Sequence, residues 1–406
     1  MAANTSQEPA DDGQFPLAAQ IPLPSFTLPT FPPEASHLRA LTLTSDINLE
    51  DYQSKHLVPG TFEPSTTLPT SITHLTLELF SLGFPAAFLA SLAKSLPKLQ
   101  SLTLFACLID GLDDASRKDA LRFFETAAET LQELHIVDTY ARTGFWKEVG
   151  TVFKERSSRS EGGLAILEVS YTYRGHYESD FLNRIYGDEW AQFVSPSVVG
   201  LSLNFSAPPA EEDEAVGMIA ETKEDQELIS AKDGILPFAS DGRASNALRK
   251  SFEALSAKKD GAGSQLKVLN TSMFALRAAE VGEIAYAVGS VGDSSGLVGF
   301  TFSVLLENGW FETFVEGLKH AGCGRALESI EVVGVPVQGG EGQDVAEEDA
   351  EKLLVKSEES VKSLASVCPK LESFGVTILR SRRIGSVVWQ KQNERWDMTR
   401  NKTTTA

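Results

Sequence analysis

The feature of this sequence that most constrains its fold is a pattern of three apolar residues, L-x-x-L-x-L with other apolar residues allowed, which recurs from residue 38 to residue 376. Most copies start 27 to 34 residues after the previous one, and two intervals are longer, at 44 and 68 residues. Because 42% of the chain is apolar, about 30 matches are expected by chance, so the inference rests on the regular spacing and not on the number of matches. The ten copies begin at Leu38, Ile72, Leu99, Leu131, Leu164, Val198, Leu266, Leu297, Leu327 and Leu371.

Most intervals between these copies contain a stretch with the apolar spacing of a helix. Leu89, Leu92 and Leu96, for example, are spaced by three and four residues, which places them on one helix face. Two of the helical stretches are followed by a proline, at Pro97 and Pro369, and proline ends a helix. The pattern therefore predicts a repeated strand–helix unit of about 30 residues. The predicted helices cover 85–95, 115–129, 144–156, 178–194, 245–258, 276–288, 309–320 and 347–367.

Two α/β architectures repeat a strand and a helix in this way: a closed (β/α) barrel and a leucine-rich-repeat horseshoe. In a barrel both strand faces are buried, so its strands are nearly continuous apolar runs. Here the residue between the last two apolar positions is polar or small in nearly every copy, which predicts that one face of the sheet meets water. The sequence therefore favours an α/β solenoid of about ten repeats, with a parallel concave sheet and helices on the convex side. The intervening residues are Thr42, Thr76, Thr103, His135, Glu168, Ser202, Asn270, Thr301, Glu331 and Gly375.

The stretch from Leu96 to Cys107, LPKLQSLTLFAC, resembles the repeat of irregular leucine-rich-repeat proteins of the ribonuclease-inhibitor-like type. Cys107 occupies the position that this family usually fills with Asn or Cys, although the other copies carry different residue types there. The resemblance covers residues 37–379 and extends to the repeat regions of eukaryotic F-box proteins. It implies an alternative function, the substrate-recognition subunit of a ubiquitin ligase. The proline-rich residues before Leu38 lack the helical pattern of an F-box, which weighs against that alternative.

The two ends of the chain differ in composition from the repeats. Residues 1–36 are rich in proline and are interpreted as an arm or N-terminal cap to the solenoid of residues 37–379. Residues 380–406 carry seven basic and two acidic residues and are interpreted as a basic cap and tail. Within them, Ile384, Val387 and Trp389 match the repeat pattern and predict a capping strand, because the last repeat of a solenoid must cover its apolar face.

Two acidic insertions interrupt the predicted solenoid. Residues 207–233 carry a net charge of −7, and residues 339–359 carry a net charge of −6. Runs of like charge usually form solvated loops, which is the expectation for both segments. A docking segment for a basic partner is the alternative.

Charge and composition exclude several classes of function. With 36 Lys+Arg against 56 Asp+Glu the formal net charge is −20, which repels phosphate backbones, so no nucleic-acid partner is expected. The sequence has no apolar run of about 18 residues, and its first 20 residues lack the regions of a signal peptide, so we expect no membrane span and a cytoplasmic or nuclear location. The three cysteines are widely spaced, which excludes a disulfide framework or a Cys-based zinc site.

One motif has the form of a catalytic site. Residues 292–296, GDSSG, match G-x-S-x-G, but a nucleophile elbow needs a strand before the serine and a helix after it. Here a predicted helix precedes the motif and a predicted strand follows it, so a helix-to-strand loop is favoured and a serine hydrolase using Ser294 is a remote alternative. The six histidines lack metal-ligand spacing, and phosphate-binding loops are absent. We therefore expect no catalytic residues, no metal and no cofactor.

A recognition surface is the stronger candidate for function. Adjacent parallel strands lie about 4.8 Å apart, so Glu133, His135 and Glu168 are expected to form an acidic patch that favours a protonated imidazole. The predicted concave positions contain no Lys or Arg, which suits a basic or neutral protein partner. The rows on either side of the central one hold His74, Ser101, Glu133, Ile166, Thr44, Glu78, Phe105, Val137, Ser170, Asn204 and Ser272.

The loops after the fourth and fifth predicted strands are a second candidate. They are rich in aromatic residues and arginine, which dominate binding hot spots, and loops of neighbouring repeats lie side by side. Burial of Trp146 and Tyr177 in the helix layer is the alternative for the bulkiest residues. At least two of the five candidate contact residues are expected to be exposed; they are Tyr140, Arg142, Tyr171, Tyr173 and Arg174.

Together these features lead to one principal hypothesis. We interpret the chain as a non-enzymatic scaffold that binds a protein partner through the concave face and these two loops.

Overall fold

The structure is a computed structural model. It describes residues 16–52, 68–158, 163–172, 187–206, 242–256, 265–289, 296–321, 323–336, 347–378, 386–393 and 395–400. The described residues contain thirteen β-strands and ten α-helices. The chain divides into two compact units, Met1–Arg142 and Thr143–Ala406, and in each of them a sheet alternates with helices along the chain.

The first unit contains β1 (Ala18–Leu23), β2 (Ala40–Ser45), β3 (His74–Glu78), β4 (Ser101–Phe105) and β5 (Glu133–Val137), with α1 (Leu49–Asp51), α2 (Phe88–Ser95) and α3 (Asp114–Ala127). A short 3-10 helix over Pro33–His37 precedes β2. The five strands pair in parallel and in chain order. Helices α2 and α3 pack against each other.

Aligned leucines form the core of this unit. Leu41, Leu75, Leu102 and Leu134 are register partners on β2 to β5, and each is at most 1% exposed. The row two residues further along, which begins at Leu43, is buried as well. Because alternate residues of a strand point to opposite faces, these rows line the helix side of the sheet and the residues between them form the other face.

The segment before β2 adds aromatic packing to the same core. Phe26 follows β1 and is buried. Its ring centroid lies 5.5 Å from that of Tyr52 and 5.1 Å from that of Phe88. The predicted N-terminal arm or cap therefore contains a strand and a core residue that the repeat pattern did not predict.

Hydroxyl side chains link two repeats of this unit to the repeat before each of them. Ser71 Oγ donates a hydrogen bond to the carbonyl oxygen of Leu38 at 2.7 Å. Thr130 Oγ1 donates in the same way to the carbonyl oxygen of Leu99 at 2.6 Å. In both pairs the donor immediately precedes the first apolar residue of its repeat, so it satisfies a backbone acceptor one repeat earlier.

The second unit contains β6 (Ile166–Thr172), β7 (Gly200–Ser206), β8 (Val268–Leu276), β9 (Gly299–Leu306), β10 (Ser329–Pro336), β11 (Ser373–Ile378), β12 (Val387–Gln392) and β13 (Arg395–Arg400). Its helices are α4 (Phe145–Ser157), α5 (Gly187–Ala191), α6 (Arg243–Ser256), α7 (Ala278–Gly289), α8 (Trp310–Ala321), α9 (Glu347–Leu354) and α10 (Glu358–Val367), with a 3-10 turn over Cys323–Ala326. Strands β6 to β11 pair in parallel, whereas β12 pairs antiparallel with both β11 and β13. Helices α4 to α8 pack successively against one another.

The second unit has the same alternation of buried and half-exposed strand residues. Leu167, Leu201, Leu269, Phe300 and Ile330 are register partners and are at most 1% exposed. They correspond to the second apolar position of each repeat. The apolar pattern therefore has the same structural cause in both units, a strand with one buried face.

The backbone ladder between β7 and β8 is short, and side chains extend it. Three residue pairs connect the two strands, and the register of β8 with β9 shifts within β8. Asn270 Nδ2 donates to Ser202 Oγ at 3.2 Å, and Ser272 Oγ donates to Asn204 Oδ1 at 2.9 Å. The first of these bonds joins the last paired residues of the ladder, and the second, from the buried Ser272, joins the two strands beyond it.

The ten predicted strands are confirmed. Six of the eight predicted helices match an observed helix within about three residues at each end. The described part of 178–194 contains α5, and 347–367 divides into α9 and α10. Strands β1 and β13 were not predicted. The acidic segment 339–359 contains α9 where a loop was expected, and 207–233 lies outside the described residues.

Candidate functional site

The face of the first sheet that points away from the leucine rows is called the open face of the first unit. All its residues except Ser101 are half-exposed or exposed, so the face contacts solvent. None of its positions is Lys or Arg. The open face consists of Ala18, Gln20, Pro22, Ala40, Thr42, Thr44, His74, Thr76, Glu78, Ser101, Thr103, Phe105, Glu133, His135 and Val137.

Two of the predicted concave residues lie close together on β5. Nε2 of His135 is 3.9 Å from Oε2 of Glu133, with 26% and 42% of their side chains exposed. Glu168 lies half-exposed on β6, the first strand of the second unit. Within the first unit, the acidic patch is thus represented by the Glu133–His135 pair.

A second acid of the open face is oriented by hydrogen bonds from two other strands. Gln20 Nε2 donates to Thr44 Oγ1 at 3.4 Å. Thr44 Oγ1 in turn donates to Oε2 of Glu78 at 2.9 Å, which fixes the carboxylate on the β2 side of its strand.

On the β4 side of its strand, Glu78 is the register partner of Phe105, and the partner of Phe105 on β5 is Val137. All three side chains are half-exposed. An aromatic ring is therefore flanked by an acid and by an aliphatic side chain on neighbouring strands. The sequence placed these residues on the concave face, but composition alone gave no reason to select them as a site.

The predicted contact residue Arg142 is bound within the first unit. Its Nε donates to Oδ2 of Asp110 at 2.9 Å, and its backbone N–H donates to Oδ1 at 3.1 Å. Its Nη2 donates to the carbonyl oxygen of Asp113 at 2.8 Å, and its Nη1 donates to Asp114 Oδ1 at 3.3 Å. Partial burial lowers the pKa of Arg142, but the hydrogen bond and charge of Asp110 raise it overall. The guanidinium fixes the loop after β5 to the loop after β4, and because 38% of this side chain is exposed, the assignment of Arg142 as a partner contact stays a prediction.

The described tyrosines of the two loops differ in exposure. Tyr140 is half-exposed, and its backbone N–H donates to the carbonyl oxygen of Cys107 at 2.7 Å. Tyr171 is 1% exposed, so its prediction as a contact residue is wrong. It lies two residues after Val169 in β6, on the strand face that carries the core. Tyr140 is therefore the described loop tyrosine that can contact a partner.

Trp146 is buried in the helix layer, as the alternative interpretation of this residue predicted. It is 1% exposed, and its ring stacks on that of Trp190 with centroids 5.7 Å apart. Both tryptophans belong to helices of the second unit, α4 and α5. The other candidates in this loop, Tyr173, Arg174 and Tyr177, lie outside the described residues.

Two buried titratable groups of the first unit belong to the core. Burial raises the pKa of the Cys107 thiol to about 12, and its Sγ donates to the carbonyl oxygen of Leu77 at 3.3 Å. Asp119 accepts hydrogen bonds from the backbone N–H groups of Leu89 at 2.9 Å and Ala90 at 3.3 Å, and so caps α2. Burial raises the pKa of Asp119, and these hydrogen bonds oppose the shift. Both groups stabilise the repeat rather than face solvent.

Neither local geometry nor comparison with known proteins assigns a chemistry to the chain. In the described residues, no group of three or more His, Cys, Asp and Glu could hold a metal ion, and Ser294 lies outside these residues. No helix in this part of the chain is both long enough and apolar enough to cross a bilayer. No protein-family model matches the chain, and no curated protein matches it significantly.

Proposed function

We propose that this protein is a non-enzymatic scaffold that binds a protein partner. In this proposal the chain is a leucine-rich-repeat horseshoe of about ten repeats, with its helices on the convex side and the half-exposed strand faces on the concave side. The partner is a basic or neutral protein. The described strands support the repeat assignment, because they pair in parallel at successive repeat positions and bury the same apolar positions.

The composition of the open face carries the functional proposal. Fifteen side-chain positions on five adjacent strands include no Lys or Arg, and the central row contains Thr42, Thr76 and Thr103 at register positions. Glu78 and Glu133 are its acids. A solvent-exposed surface of this size with one sign of charge favours a partner of the opposite sign and suppresses acidic ones.

The loop after β5 has a supporting role in this proposal. Arg142 holds that loop in place, so the half-exposed Tyr140 is presented at a fixed position near the end of β5. Tyrosine is one of the residue types enriched in binding hot spots. The loop therefore extends the open face instead of forming a separate site.

A pair of matched substitutions tests the proposal. Thr103→Arg places a bulky cation at the centre of the open face, and Thr126→Arg makes the same change at an exposed position of α3. Both variants and the wild-type protein are used for affinity purification with quantitative mass spectrometry, after thermal unfolding has shown that they are equally folded. We expect proteins captured by wild type to be lost from Thr103→Arg and retained by Thr126→Arg. Equal capture by all three proteins would refute a partner-binding role for the open face.

A further inference from the structure

We infer that the open face recognises a lysine or arginine side chain of its partner at Phe105 and Glu78. The inference rests on the proposed function and adds the chemistry that the partner must supply. The recognised element is a long basic side chain on a protein segment, with its alkyl part on Phe105 and Val137 and its charged group beside Glu78.

The arrangement of the three side chains supports this assignment. Register pairing places Glu78, Phe105 and Val137 at the same level on β3, β4 and β5. Neighbouring strands are about 4.8 Å apart, so a basic side chain whose alkyl part lies on the Phe105 ring can extend its charged group to the Glu78 carboxylate. An alkyl chain that packs on apolar surface while its charged end stays at a carboxylate is typical of lysine and arginine.

Glu78 is oriented before any partner arrives. Thr44 donates to its Oε2 at 2.9 Å, and Gln20 donates to Thr44 at 3.4 Å. These bonds hold the carboxylate towards β2, on the side away from Phe105, so the acid flanks the ring without lying across it. A preoriented carboxylate loses less conformational freedom when it binds a cation.

The charges near these strands also favour a cation. The loop that follows β4 contains Asp110 and Asp113, and Asp114 begins α3 directly after it. The two arginines that contact these acids, Arg117 and Arg142, are already bound to Asp110. Three acids and two bases leave this loop cluster with a net negative charge. Its arginines are therefore neutralised and do not oppose a basic side chain on the open face.

An exposed leucine next to Glu78 in the sequence is the fourth observation. Leu79 immediately follows Glu78 and is 47% exposed, and its backbone N–H donates to the carbonyl oxygen of Phe105 at 2.9 Å. Its φ of 64° is a conformation that a leucine rarely adopts. An exposed apolar residue thus follows the acid directly and is joined to the Phe105 backbone, which suits a basic residue with an apolar neighbour.

Synthetic peptides test the inference directly. Three fluorescein-labelled dodecapeptides of Ser, Gly and Val are compared; they carry three lysines, three acetyl-lysines or three glutamates at the same positions. Binding to the full-length protein is measured by fluorescence anisotropy at low and high salt. We expect the lysine peptide to bind at least tenfold more tightly than the acetylated one, and to weaken as salt increases because the contact is electrostatic. Equal binding of the lysine and acetyl-lysine peptides would overturn the inference.

Matched variants separate this site from general attraction to an acidic protein. Glu78→Gln and Phe105→Ala should each weaken binding of the lysine peptide about fivefold or more, which exceeds a purely long-range charge effect. Glu125→Gln on α3 and Leu112→Ala remove the same charge and a similar exposed apolar group elsewhere in the first unit, and they should leave the affinity within about twofold. If the peptide binds instead through the acidic segment 207–233, Glu78→Gln will leave the affinity for the lysine peptide as little changed as Glu125→Gln does. That outcome would contradict the inference. Loss of cellular partners in Thr103→Arg together with unchanged peptide binding in Glu78→Gln would preserve the proposed function and reject this site.

Discussion

The guanidinium of Arg142 donates to the carboxylate of Asp110 at 2.9 Å, and the two residues are 32 positions apart in the sequence. The side chain of Asp110 is fully buried, and it also accepts a hydrogen bond from Arg117 Nη1 at 3.0 Å. The separation corresponds to one repeat. Arg142, which the sequence predicts as a partner contact, thus links two consecutive loops.

Replacing Asp110 should destabilise the first unit strongly. Asp110→Asn removes the charge that Arg117 and Arg142 share, and because both arginines keep some contact with solvent, the loss of these charged hydrogen bonds should cost about 2 kcal/mol. Asp114→Asn removes a carboxylate that is 86% exposed, so it should cost less than about 0.5 kcal/mol. Urea unfolding of both variants measures the difference. Similar losses for the two would show that the Asp110 cluster contributes no more than a surface pair.

Tyr171 should act on stability and not on partner contact. Tyr171→Ala removes a fully buried ring from the core beside β6, which should lower the free energy of unfolding by about 3 kcal/mol. Tyr286→Ala makes the same change at a residue that is 53% exposed, and we expect a loss below about 0.5 kcal/mol. Thermal and urea unfolding check both values. If Tyr171→Ala leaves the free energy of unfolding unchanged, the burial of this residue would be contradicted.

The cap formed by Asp119 should give a defined dependence of stability on pH. Since burial raises its pKa, the folded state keeps this proton to a higher pH than the unfolded state does. Between about pH 4 and the raised value, stability therefore falls as pH rises. The free energy of unfolding of wild type minus that of Asp119→Asn should decrease across this window and then level off. An increase with pH would mean that the backbone hydrogen bonds from Leu89 and Ala90 outweigh burial.

Cys107 should be chemically inert in the folded protein. Burial holds its pKa near 12 and excludes reagents, so the thiolate that reacts with alkylating agents is nearly absent at neutral pH. Iodoacetamide at pH 7.5 should modify Cys107 in guanidinium chloride but not under native conditions. Mass spectrometry of the peptide that contains Cys107 measures the two rates. Comparable rates in the two conditions would contradict the burial of this thiol.

Much of the fold could be predicted because it depends on periodicity. Each strand buries one face, so an apolar spacing of two within a longer spacing of about 30 residues locates strands without knowledge of any contact. Strand β1 was not predicted because Ala19 and Ile21 are half-exposed there and Leu23 is its one buried apolar residue. An outer strand with so little buried surface has no apolar signature.

The site was harder to predict than the fold. The burial of Tyr171 could have been inferred, since it continues the alternation of Leu167 and Val169 on β6. The pairing of Arg142 with Asp110 depends on the paths of two loops, which apolar spacing does not specify. The association of Glu78 with Phe105 required the register of β3 and β4, and that register is known only from the pairing of the strands.

The most direct test of the account is site-specific crosslinking in cells. The photoreactive residue p-benzoylphenylalanine is introduced in place of Thr103 on the open face or Thr126 on the exposed surface of α3. If the open face binds a partner, irradiation of the Thr103 substitution will give a covalent adduct with another protein, and irradiation of the Thr126 substitution will give none. No adduct from position 103, or equal adducts from both positions, would contradict the claim that the open face is the partner-binding surface.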